Sequence, residues 1–143
     1  MKPVYLLDTC ILAEPIRPQP SSVVLERLRE TDGLQAMPAV VWHELLFGMN
    51  RLPEGARKRR LQVYLLDVVA PSIPVLPYDD HAAWLHADFR AVLESRGQPL
   101  PLADSMIAAI ARANNCVLIT RNVQDFLPIP HLLVENWFEE PPG

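Results

Sequence analysis

Four carboxylates in this sequence stand where a carboxylate needs a reason. Asp8 ends an apolar run in the stretch PVYLLDTCILAE. Glu44 sits inside AVVWHELLFGMN, with Val40 and Val41 one turn before it and Phe47 and Gly48 one turn after. Asp104 opens the apolar segment LADSMIAAIA. Asp125 follows Thr120-Arg121-Asn122, the trio that closes the apolar run CVLIT. A buried, unpaired carboxylate is costly, so it shifts its pKa, finds a partner or binds a cation. Three of these acids also have plain structural readings: Asp8 as a turn cap, Asp104 as a charge favourable at a helix start, Asp125 as a surface turn acid. Glu44 is harder to explain that way, because a Glu in an apolar helix needs a partner. Acids from separate elements that converge repel one another unless a cation lies among them. Hard oxygen donors select Mg2+ or Mn2+, and such ions activate water and neutralise phosphate charge in phosphodiester hydrolysis.

Convergence requires elements that end at one edge. Residues 3–8, 34–38, 73–76, 116–120 and 132–134 predict short buried strands. Between them, helices are predicted over 21–30, with Ser21-Ser22 as N-cap, and over 40–52, apolar nearly all round and so buried on most sides. Further helices are predicted over 54–69, over 79–95 with acids in the first turn and Gly97 past its end, and over 102–114. Residues 11–14 predict a single helical turn, cut by Pro15 and Pro18. Strands alternating with helices predict an α/β class with a central parallel sheet of four to five strands covered by helices on both faces. Ligands in such folds sit beyond the carboxyl ends of the strands, where Asp8 and Thr120-Arg121-Asn122 fall.

Composition narrows the setting. A chain of 143 residues, half of them AVILMFWYC and 21% charged, suits one folded domain. A formal net charge of −4 argues against a broad electrostatic nucleic-acid binder, unless some acids are clustered to hold cations. Cys10 and Cys116 are too few for a disulfide scaffold and are read as free, buried thiols in a reducing compartment. Neither a secretory signal nor a membrane span is read, so a cytoplasmic protein without a membrane partner is expected. His43 points about 100° away from its neighbour Glu44, and His81 and His86 share no zinc spacing with a cysteine. The basic run at 57–60 is read as a solvated face, whereas Arg121 stands at the active end of the sheet and suits a phosphate. Trp42, Trp84 and Trp137 are read as core or interface.

The order LLDT, WHELLFG, LADSMIAAIA and LITRNVQDF resembles PIN-domain ribonucleases, specifically the VapC-type toxins of toxin–antitoxin pairs, over residues 4–138. The resemblance implies a three-layer α/β/α fold, one domain over 1–138 with 139–143 as a frayed tail, and Mg2+-dependent endoribonuclease activity. Residue by residue, it implies Asp8 and Asp104 as direct metal ligands, with Glu44 completing the cluster or holding metal-bound water. Thr9 and Thr120 would orient the acids through their hydroxyls. Many members carry a fourth acid where this chain has Asn122; an amide oxygen can ligate but brings no charge, and Asp125, three residues on, either substitutes for it or only caps the following turn. The resemblance also implies a homodimer and a cognate VapB-type antitoxin covering the site. The alternative is a catalytically weak PIN-fold module that only binds. A receiver-like phosphoacceptor domain is disfavoured, since no acid pair precedes Asp8 and no Lys follows CVLIT. With Asn122 uncharged, calorimetric titration of the metal-free protein should show one tight divalent site and a second that binds more weakly. Two equally tight sites would contradict this.

Overall fold

The computed structural model describes residues 2–139, so residues 140–143 of the expected tail lie outside the described residues. Strands β1 (Tyr5–Leu7), β2 (Gln35–Pro38), β3 (Val75–Leu76), β4 (Val117–Ile119) and β5 (Val134–Glu135) form one sheet in the order β3-β2-β1-β4-β5. Every pairing is parallel. Leu6 and Leu7 of β1 point to opposite faces, yet both are fully buried, as are Leu118 and Ile119 of β4. Strands apolar on both sides require cover on both faces.

Helices supply it. After β1 come α1 (Thr9–Ala13), a 3-10 turn at Glu14–Ile16 and α2 (Ser22–Glu30); after β2 come α3 (Ala39–Asn50) and α4 (Ala56–Gln62). A π-helical stretch, Val63–Val69, continues α4 into the short α5 (Ala70–Ser72). Helices α6 (Asp80–Ser95) and α7 (Leu102–Ala113) separate β3 from β4, and α8 (Val123–Phe126) separates β4 from β5. Parallel crossovers are right-handed. The steps from β1 to β2 to β3 run one way along the sheet and place α1–α5 on one face. The return from β3 to β4 and on to β5 places α6–α8 on the other. The direction reverses between β1 and β4, and that switch point is where a doubly wound sheet opens a crevice.

Several predicted boundaries follow local chemistry. The Ser21 hydroxyl accepts from the Val24 N–H at 3.3 Å, and Asp79 Oδ1 accepts from the Ala82 N–H at 2.9 Å, so both act as N-caps. Gly97 takes φ +67° just past α6. Two expectations need correction. The single helix expected over 54–69 is α4 plus a π stretch, and the wider turn carries Tyr64 inward. Its hydroxyl donates to the Leu12 carbonyl at 2.5 Å, satisfying an oxygen near the end of α1, and burial pushes its pKa up to about 12. Helix α3 is not buried on most sides. Only Val41, Leu45 and Met49, four residues apart, form a buried stripe, while His43, Glu44 and Phe47 are exposed.

Glu14 was not singled out by the sequence, yet it is 4% exposed. Its Oε2 accepts from the Ser21 N–H at 2.8 Å, and its Oε1 lies 3.6 Å from Arg17, so this buried acid is a loop staple. Because Tyr64 ties the π stretch to α1, Tyr64→Phe should lower urea-derived stability by about 1 kcal/mol, leaving the Leu12 carbonyl without its donor. A stability equal to wild type would remove this tether.

Candidate active site

Register assembles the site's first pair. Tyr5, Leu6 and Leu7 lie opposite Val117, Leu118 and Ile119, so the next residues in line are Asp8 and Thr120. The Asp8 N–H donates to the Ile119 carbonyl at 3.0 Å, carrying the pairing one residue past the strand. The fully buried Thr120 then donates its hydroxyl to Asp8 Oδ2 at 2.7 Å. The other oxygen, Oδ1, accepts from the Thr9 N–H at 2.8 Å at the start of α1. Both carboxylate oxygens are therefore held, and the side chain has one orientation. Thr9 acts here through its main chain, where the sequence suggested its hydroxyl.

Asn122 also works through the backbone. Its N–H donates to Thr120 Oγ1 at 3.2 Å, completing a chain from Asn122 through Thr120 to Asp8. Asn122 is the N-cap residue of α8, but its side chain makes no capping bond. Asp125, in the first turn of α8, is exposed.

Asp104 stands half-buried in the first turn of α7. Burial raises its pKa above the ordinary 3.8, and the charges of Asp8, Asp125 and Glu44 raise it further, in that order. Asp104 therefore feels the charge of the other three acids. No three His, Cys, Asp or Glu side chains among the described residues are gathered into a ready metal cage. The effect of the other three acids on Asp104 is one of charge. The donor set is hard oxygen throughout, and a divalent cation would relieve the repulsion felt at Asp104.

A buried hydrogen-bonded chain stands behind Asp104. Ser105 donates its hydroxyl to the Leu102 carbonyl at 2.9 Å. Its oxygen is then free to accept from His86 Nε2, 2.9 Å away, while Tyr78 donates to His86 Nδ1 at 2.8 Å. Burial, then the nearby Arg90, lowers the His86 pKa, so the ring is neutral and tightens the first turn of α7. No spacing in the sequence signals this contact between helices.

Other candidates fall away from the acids. Cys10 is half-buried and Cys116 buried, both free. Burial raises both thiols, and the charge of Asp8 raises Cys10 further, which disfavours a nucleophilic thiolate. The exposed His43 rests near the Phe47 ring, 6.4 Å between centroids. A cavity of about 370 Å3 lies at the amino end of the sheet around Arg112, Asn115 and His131 and contains none of the four acids. Arg121 is exposed, with its guanidinium carbon 4.2 Å from the Phe138 ring centroid.

The fold, with Asp8 and Thr120 joined at the carboxyl ends of β1 and β4, defines a class: the chain belongs to the PIN-domain family, whose profile matches residues 5–127. Within that family, it is 33% identical to the tRNA(fMet)-specific endonuclease VapC of Shigella flexneri over 135 residues, covering 93% of this chain and 97% of that one. It is 29% identical to ribonuclease VapC2 of Rickettsia felis, covering 94% and 98%. Among solved structures, FitAcB from Neisseria gonorrhoeae superimposes with a TM-score of 0.86 at 29% identity, over 96% of this chain and 100% of that one.

The raised Asp104 pKa has a stability consequence. The folded chain binds that proton more tightly than the unfolded chain does. Its contribution to metal-free stability is therefore complete below the ordinary pKa near 3.8 and is lost as pH rises through the raised folded value. In metal-free buffer, Asp104→Asn should flatten this decline and melt above wild type at neutral pH, read by thermal denaturation across pH. A mutant that melts lower, with the decline intact, would show the acids to be held by structural partners instead.

Proposed function

We propose that this chain is a divalent-metal-dependent endoribonuclease, the toxin of a VapBC-type toxin–antitoxin pair, working in the cytoplasm and neutralised by a cognate antitoxin. The observation that carries the reading is Asp8, held at the carboxyl end of β1 by the Thr120 hydroxyl and the Thr9 N–H, with its charge and those of Asp125 and Glu44 raising the pKa of Asp104. The relatives named as VapC ribonucleases match over nearly their whole length, which supports the same chemistry here.

Asp8 and Asp104 would hold the ion, with Glu44 and Asp125 adding charge around it. When bound, a Mg2+ or Mn2+ ion supplies an activated water and neutralises phosphate charge. The chain's own work is positional. Thr120 and the Thr9 N–H orient Asp8, and the Ser105–His86–Tyr78 chain steadies the turn that presents Asp104. Asp125 supplies the acidic charge that Asn122 lacks, which favours an active enzyme over a module that only binds. The cluster is open to solvent at Glu44 and Asp125, as a polymeric substrate requires.

Homologous complexes include VapBC2 from Rickettsia felis bound to a promoter DNA fragment. For this chain, a VapB-type antitoxin and a second copy are the proposed protein partners. Exposed apolar side chains on α3 and the π stretch (Phe47, Val63, Leu66 and Val68), and Trp84 at 77% exposure, supply candidate surfaces. No helix among the described residues is long and apolar enough to cross a membrane.

Asp8→Asn, Glu44→Gln and Asp104→Asn should each abolish Mg2+-dependent cleavage of cellular RNA by the purified, antitoxin-free protein. Each should also relieve growth inhibition when the chain is expressed alone. Metal-dependent cleavage persisting in Asp104→Asn would remove it from the site. A folded wild type that cleaves no RNA would favour the binding module.

A further inference from the structure

From the stacking of Arg121 on Phe138, we infer that this pair forms a platform for one unpaired nucleobase beside the acid cluster. Arg121 then reads a base plane rather than serving only as a phosphate contact. The inference deepens the ribonuclease reading above and rests on it for the identity of the ligand.

The platform is anchored on both sides. The Thr120 N–H donates to the Glu135 carbonyl at 3.0 Å, so β4 stays paired with β5 up to the residue before Arg121. Arg121 therefore leaves the sheet beside the chain that follows β5, where Phe138 waits. That chain is itself fixed. The Phe138 N–H donates to Asn136 Oδ1 at 2.9 Å, and the adjoining Trp137, 1% exposed, packs edge-on against Tyr5 with centroids 5.4 Å apart. The separation of 4.2 Å lays the guanidinium against the Phe138 ring, while Arg121 as a whole remains exposed.

A guanidinium is planar and weakly hydrated, and it stacks on aromatic faces. With one face on Phe138, the opposite face can receive a second π plane. Thr120, one residue earlier, holds Asp8, so the platform is set beside the nucleotides flanking a phosphate at the acids. Every base has a π face, so such a platform tolerates sequence and selects strandedness. Bases in single-stranded segments and loops can be splayed out and stacked, whereas bases within an A-form helix cannot. The platform therefore requires the one nucleotide it receives to be unpaired.

Binding in EDTA, without cleavage, tests this. Short single-stranded RNAs carrying 2-aminopurine, or an abasic nucleotide, at successive positions serve as probes. In the wild type, 2-aminopurine should be quenched at one position, and an abasic site there should weaken binding about tenfold, as expected for one stacked base. Arg121→Lys keeps the charge but not the plane, and Phe138→Leu removes the ring; each should erase the abasic difference. Phe138→Tyr should retain it. Duplex RNA of the same sequence should show no position-dependent loss. Equal binding of intact and abasic RNA by the wild type, or an unchanged abasic difference in Arg121→Lys, overturns the platform. Arg121 is exposed, so its variant decides the matter even where Phe138→Leu disturbs the fold. Because no metal is present, the readout stands whether or not the wild type cleaves RNA when Mg2+ is added.

Discussion

The site depends on one hydrogen bond, from the Thr120 hydroxyl to Asp8, made between the carboxyl ends of two adjacent parallel strands. It exists because β1 and β4 pair in a register that brings residues 8 and 120 opposite each other. A slip of one residue would replace the threonine with Ile119 or Arg121 and turn every side chain to the other face. Both residues continue runs of fully buried leucine and isoleucine, so core packing enforces the register. The same apolar burial that stabilises the sheet thus orients the first acid of the cluster.

With Asp8 fixed, the remaining acids are delivered from both layers. Glu44 comes from α3 on one face; Asp104 and Asp125 come from α7 and α8 on the other. Asp104 is where the crowding is felt, being half-buried and facing three like charges. Its turn is held from behind by neutral groups, Ser105, His86 and Tyr78, which add rigidity without adding charge. Gathering like charges requires such support, because nothing in their mutual interaction favours the arrangement.

The two ends of the sheet differ in kind. At the amino end, an open cavity carries no acid. At the carboxyl end, the cluster is flanked by Arg121, a cation that the chain stacks on Phe138 rather than pairing with the acids. A basic side chain drawn into the cluster would compete with a divalent ion. Held on an aromatic ring, Arg121 keeps its charge at the carboxyl end of the sheet without neutralising the acids.

Much of this was legible in the sequence. Short apolar strands between amphipathic helices specified a parallel α/β sheet, since only cover on both faces can bury runs such as YLL and VLI. The cap at Ser21 and the glycine at position 97 marked their boundaries by local chemistry. Asp8, Glu44 and Asp104 stood out because a carboxylate beside apolar residues demands a partner. What the tertiary structure alone decided concerns groups distant in the chain. It replaced a continuous helix with a π stretch that ties Tyr64 to Leu12, and left Glu44 exposed on a helix that looked buried all round. It made Thr9 and Asn122 support Asp8 through backbone N–H groups, which no side-chain pattern can announce. It brought Asp125, a plain surface acid by sequence, into the field of Asp104, and Phe138 beneath Arg121. Local sequence records propensity and periodicity, whereas which charges meet depends on register and crossover direction, and those are settled only when the whole core packs.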